Sequence, residues 1–210
     1  MNKAVELITA WGDFDAKHPN SNLQDFCRYY LLSKAETESK TWQSPKWPMP
    51  VTVDFALMRL TGRIAKLHSI YAQAAAEGTG IHTSDEFSLL NAIYCLNEPR
   101  KTEAIYTALF ELSTGTDMLN RLKKNGYISE YDDKEDKRSK RIKITPKGQK
   151  ALAACKKRMG QLAELEYSDL TNDEKKLCLQ LLGRIDEKFS NVWLSHKAKS
   201  FEEIYKEVIG

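Results

Sequence analysis

Apolar side chains recur every three or four residues along most of this chain, a spacing that predicts a mainly helical protein. Val5, Leu7, Ile8 and Trp11 share one helical face, and His18-Pro19-Asn20-Ser21 ends that run. Leu23, Phe26, Cys27, Tyr30 and Leu31 predict a second helix, capped by Ser21 or Asn22. Pro45, Pro48 and Pro50 exclude a helix and predict an extended linker. From residue 53 to 77, Phe55, Leu57, Met58, Leu60, Ile64, Leu67, Ile70 and Tyr71 predict a long helix, closed by Gly78-Thr79-Gly80. Thr83 or Ser84 opens the next helix, and Thr83 with Glu86 is the better capping box. That helix carries Phe87, Leu89, Leu90, Ile93, Tyr94 and Leu96.

The pattern shortens and then changes period after Asn97-Glu98-Pro99. Residues 100–109 place Ala104, Ile105, Ala108 and Leu109 on one face. A break at 110–113 precedes a helix capped by Ser113 or Thr114, with Asp117 suited to the positive helix end, and Gly126 supplies a left-handed stop. Two short helices joined by a tight turn form a helix-turn-helix. Tyr127 to Tyr131 and Arg141 to Thr145 alternate in polarity and predict paired strands around the polar loop DDKEDKRSK. Thr145 and Pro146 then fit a cap and first helical residue. Leu152, Cys155, Met159 and Leu162 continue the helical spacing. A run capped by Thr171 and Glu174 follows, with Leu177, Leu181, Ile185, Phe189 and Val192, and Ile204 and Val208 extend the spacing to the C-terminus.

This order of elements is a winged helix, which most often binds duplex DNA. Charge sharpens the reading. The whole chain of 210 residues carries only +3, but Met118 to Lys150 holds eleven cationic residues against five acids, +6 net. A basic patch on a near-neutral protein suits phosphate contacts. On the helix from Ser113, the side chains Met118, Leu119 and Leu122 face inward, leaving Thr114, Thr116, Asp117, Asn120 and Arg121 outward. Such small or polar groups can read base edges in a major groove. Ser113 and Lys124 join this set, with Lys137, Lys140 and Arg141 as phosphate candidates. Arg138, near the tip of the hairpin, is the strongest single candidate, as a cationic arm for the minor groove. Asp136 is read as its structural partner.

The segments STGTDMLNRLKKNGYISE and DDKEDKRSKRIKITPKG resemble the MarR family of prokaryotic transcription regulators. The match rests on Leu122, Lys123, Lys124 and Gly126, then Asp136 and Arg138, then Thr145 and Gly148. Lys137 stands where the family often has a second arginine, which keeps the charge and loses the bidentate fork. The resemblance covers roughly residues 53 to 195. It implies a winged helix-turn-helix flanked by N- and C-terminal dimerisation helices, a homodimer on a palindromic operator, and frequent release of DNA by a small-molecule effector or by cysteine oxidation.

Four segments are therefore expected: 1–51, an N-terminal helical extension and proline-rich linker; 52–80, a long helix at the dimer junction; 81–148, the winged helix-turn-helix; and 149–210, C-terminal dimerisation helices. Val5, Ile8, Phe26, Leu177, Leu181, Ile185, Phe189 and Trp193 serve either a dimer interface or ordinary core packing. Cys27 beside Arg28 is either a redox-sensitive thiol or a small apolar helix residue. The four cysteines form no metal or disulfide pattern, no apolar run reaches membrane-spanning length, and a cytoplasmic regulator without a cofactor is expected. An enzyme would need a nucleophile–base pair, phosphate loop or metal cluster, and the four histidines are isolated in sequence. A winged helix that docks proteins instead of DNA is the remaining alternative.

Overall fold

The computed structural model describes residues 2–38, 52–133 and 139–210. The proline-rich segment therefore lies outside the described residues, as do Asp136, Lys137 and Arg138. The chain forms two compact units, Met1–Ala56 and Leu57–Gly210.

The first unit is a helical hairpin of α1 (Lys3–Lys17) and α2 (Leu23–Glu38). Asn22, and not Ser21, caps α2. Its side-chain oxygen accepts from the backbone N–H groups of Gln24 and Asp25 at 2.8 and 3.1 Å, and Asp25 returns a bond from the Asn22 N–H. The two helices meet through an aromatic cluster. Trp11 stands edge-on to Phe26 with centroids 4.9 Å apart, and Phe14 lies 5.6 Å from Phe26 and 4.9 Å from Tyr29. Phe14 and Phe26 are buried there, so Phe26 belongs to the hairpin core and is not available to a dimer. Val5, Ile8, Leu31 and Leu32 remain exposed.

α3 (Val53–Ala76) leads into the second unit and ends as expected, with Gly78 and Gly80 both at positive φ. α4 (Ser84–Leu96) is capped by Thr83, whose side chain accepts from the Glu86 N–H. α5 (Lys101–Thr107), α6 (Leu112–Lys124), β1 (Ile128–Asp132), β2 (Lys140–Ile144) and α7 (Pro146–Glu166) follow. The strands are displaced by one residue from the expected spans. They pair antiparallel, with Ile128 opposite Ile144 and Glu130 opposite Ile142. One core joins these elements: Leu89, Leu90 and Ile93 of α4, Ile105 of α5, Met118, Leu119 and Leu122 of α6, Ile128 and Ile142 of the hairpin, and Leu152 and Cys155 of α7. Burial pushes the Cys155 thiol up, partly offset by a Thr79 hydrogen bond, so this cysteine is a core residue.

Two expectations fail here. Leu109 leaves the apolar face of α5, being exposed at a left-handed φ of 59°. The turn needs that backbone conformation so that the Phe110 N–H can reach the Ile105 carbonyl at 3.1 Å. The C-terminal spacing is also not one continuous helix. α8 (Asn172–Ser190), α9 (Trp193–His196) and α10 (Phe201–Ile209) are separate. Ser200 and Glu203 form a capping box that starts α10 afresh, a signal the apolar spacing alone conceals.

Gly148 occupies the third position of α7 because the chain passes there against Tyr127. A Cβ at this position would collide with the Tyr127 carbonyl oxygen, which is backbone and cannot yield cheaply. Gly148→Ala is therefore expected to destabilise the protein by about 1–3 kcal/mol, read as a lower midpoint in thermal or denaturant unfolding.

Candidate nucleic-acid interface

The helix α6 owes its orientation to a stripe of inward residues. Gly115, Met118, Leu119 and Leu122 are buried at helical spacing. Gly115 lets α5 approach: a Cβ there would stand 2.5 Å from the Cγ2 of Ile105. The opposite face consists of Ser113, Thr114, Asp117, Asn120, Arg121 and Lys124, all exposed. Thr116 is half-buried and turns its hydroxyl back to the Leu112 carbonyl at 2.6 Å.

The start of α6 differs from the expectation. Its N-cap is Glu111, which makes no side-chain capping bond, and Ser113 and Thr114 lie within the first turn. The Gly115 N–H bonds to the Glu111 carbonyl at 2.8 Å, so the helix begins two residues earlier than a hydroxyl cap would allow. The cause is the tight turn at Leu109, which sequence periodicity does not reveal. Ser113 and Thr114 thus keep their exposed places on the helix without acting as caps.

Three acids organise the cations, a role the sequence reading assigned to none of them. Glu86, 2% exposed, accepts the His82 N–H at 3.1 Å through one carboxylate oxygen and the Arg121 Nε at 3.0 Å through the other. Arg121 is therefore anchored at its Nε to α4. Asp133, also 2% exposed, accepts from the Nε of Arg100 and the Nε of Arg141, both at 3.0 Å. Arg141 also donates through Nη1 to the Glu98 carbonyl at 3.0 Å. This expected phosphate ligand is thus built into the base of the hairpin. Glu130 takes Lys101 and Lys123, each at 2.7 Å. Lys140 pairs with Asp132. These pairings had no sequence signal, because the partners are 7 to 35 residues apart.

These contacts tie the hairpin to the helices. The Asp133 N–H closes the described ladder on the Ser139 carbonyl at 3.1 Å. On the other edge of β2, the Ile142 N–H bonds to Pro99 and Arg100 forms a bridge with Arg141. Hydrogen bonds from Lys143 and then Tyr131 hold the Glu98 carboxyl below its ordinary value, and Glu98 in turn raises the Tyr131 phenol. Burial pushes Glu130 upward, but its bonds from Lys101 and Lys123 outweigh that and lower it. Elsewhere, Cys27 is exposed on α2, and Arg28 is shared with Asp25 at 3.6 Å. Among the described residues, no cluster of His, Cys, Asp and Glu could hold a metal ion, and no helix is long and apolar enough to cross a membrane.

A helix presenting small polar side chains, braced beside a two-stranded hairpin, defines the reading head of a winged-helix DNA-binding protein. Residues 83–148 match the model of a winged helix DNA-binding domain. The chain is 32% identical over 104 residues to the multiple antibiotic resistance protein MarR of Salmonella typhimurium, covering 49% of this chain and 72% of that protein. The chain belongs to the MarR family of winged-helix transcription regulators. Among solved structures, it resembles a mutant MarR from E. coli complexed with operator DNA, with a TM-score of 0.58 and 25% identity over 62% of this chain and 93% of that one. It also resembles the PcaV transcriptional regulator from Streptomyces coelicolor in complex with its natural ligand, with a TM-score of 0.59 and 18% identity over 66% and 97%.

Asp133→Asn leaves two arginines facing a neutral amide. It should cost about 2–3 kcal/mol of stability, below the range for fully buried pairs because both arginines reach solvent. It should also weaken duplex binding although it removes a negative charge; tighter binding in a mobility-shift titration would contradict the bracing role. The lowered pKa of Glu130 means that its ion pairs stabilise the fold above the ordinary carboxylate range and are lost as pH falls through the lowered value. Glu130→Gln should therefore flatten the dependence of the thermal midpoint on pH in that acidic window.

Proposed function

We propose that this chain binds a palindromic operator as a homodimer and acts as a cytoplasmic repressor that a small-molecule effector releases. The observation that carries the reading is the exposed polar face of α6 beside a hairpin rooted in arginines. Ser113, Thr114, Asp117, Asn120 and Arg121 would face base edges, and Lys124, Lys140 and Arg141 would lie toward phosphates, with Thr116 at the margin. Lys137 and Arg138 would act from the hairpin tip, Arg138 in the minor groove. The related structure with operator DNA supports a duplex as the target. No catalytic role is assigned.

The dimer reading rests on uncovered apolar surface. α8 buries none of its 19 residues. Leu177, Leu181, Ile185 and Phe189 are exposed along it, and helices in proteins draw most of their stability from packing such a face. A second copy covering α8 would form a two-fold interface and set two α6 helices about 34 Å apart, one turn of duplex. Segment 149–210 would then be the dimerisation region and 52–80 its junction with the reading head. For the effector, a cavity of about 400 Å³ lies between the end of α3 and α7, lined by Glu77, Thr79, Lys157, Arg158 and Gln161. Its two cations suit a small carboxylate. The related regulator solved with its natural ligand supports ligand control.

Selection from random duplex DNA should yield a palindrome, and affinity for it should fall by roughly 10³–10⁵ between 50 and 200 mM salt if 6–10 phosphates are engaged. A flat salt response would favour a protein-docking winged helix. Asn120→Ala and Arg138→Ala should each weaken binding by about 1–3 kcal/mol. Unchanged affinity in both would remove these residue assignments.

A further inference from the structure

The chain beyond α8 returns to the reading head. Trp193, at the start of α9, meets Tyr106 of α5 edge-on, with centroids 5.9 Å apart and ring planes at 76°. Lys197, which follows α9, places its ammonium 5.1 Å from the centre of the Tyr106 ring and 5.0 Å from that of Trp193. The same ammonium reaches Glu111 Oε2 at 2.7 Å. Tyr106 itself packs on the core of the reading head, so the aromatic pair anchors the lysine from a fixed base.

Glu111 is the N-cap of α6, and its carboxylate makes no capping bond. An acid at a helix N-terminus is favourable for the helix, since it complements the dipole. At the end of a groove-reading helix it is unfavourable for DNA, because phosphates approach there. We propose that Lys197 is a positioning residue for duplex binding: held by Tyr106 and Trp193, it neutralises Glu111, so that α6 meets the polyanion without a free negative charge at its entry. The inference rests on the reading of α6 as the helix that enters the groove. It gives the C-terminal segment a part in DNA binding separate from any dimer contact.

The test uses the full chain and a duplex selected by the parent protein. Lys197→Met should weaken binding about three- to tenfold at low salt, the scale of one unscreened charge near a phosphate in water. The loss should shrink as salt rises. Glu111→Gln should change little in the parent, where the charge is already neutralised, and should restore most of the affinity in the Lys197→Met background. Lys197→Arg, which keeps the charge and the ring contacts, should bind as the parent does. Parental affinity in Lys197→Met overturns the proposal. So does a double variant that stays as weak as Lys197→Met, because the lysine would then act on phosphate itself. Glu111→Gln perturbs no packing and covers the case in which Lys197→Met folds poorly: three- to tenfold tightening in the parent background would show that the lysine leaves the Glu111 charge unmasked and would overturn the proposal. Failure of the parent to bind any duplex falls on the reading of α6, whereas differences among the variants bear on Lys197 alone.

Discussion

The close approach of α5 to α6 at Gly115 and Ile105 governs the rest of this molecule. Because α6 carries no side chain at that contact, it can press its inward stripe of Met118, Leu119 and Leu122 into a core shared with α4 and the hairpin. Burial of each such side chain contributes about 1.5–3 kcal/mol, and the helix can satisfy this only in one rotation about its axis. That rotation is what leaves Asp117, Asn120 and Arg121 facing outward together. This outward set is in that sense a by-product of packing, since a helix free to turn would not present a fixed set of side chains.

Electrostatics supplies the second level of order. Buried acids are costly unless paired, and here each one is placed where it restrains cations. Glu86 fixes Arg121 to α4, and Asp133 joins Arg100 to Arg141 across the root of the hairpin. Restraint of long cationic side chains reduces the rotamer entropy lost on binding a polyanion. It also makes the hairpin and the helix-turn-helix one mechanical body. Arg141 illustrates the exchange: engaged by Asp133 and the Glu98 carbonyl, it stiffens the wing root as well as adding positive charge.

Surface exposure separates the reading head from the flanking helices. The head buries most of its leucines and isoleucines, whereas α8 leaves all of its own uncovered and α3 leaves Leu57, Met58, Ile64 and Ile70 at the surface. Extended apolar faces of this kind are unusual on a lone chain, and the proposed dimer rests on them. Beyond α8, α9 packs back on the head, since Trp193 finds Tyr106 in the same chain.

Much of this was legible in the sequence. Helical spacing located the helices, Gly126 and Thr145-Pro146 marked a stop and a start, and alternating polarity around DDKEDKRSK disclosed the hairpin to within one residue. Local rules suffice there because caps, turns and periodicity act over three or four residues. The tertiary structure alone decided the start of α6 at Glu111, the exposure of Leu109 and the partition of Phe26 into the N-terminal hairpin. It also decided the pairing of Arg121 with Glu86, of Arg141 with Asp133 and of Lys197 with Glu111. Those outcomes join residues distant along the chain, and no local pattern encodes which buried acid a given cation will meet once the core has closed.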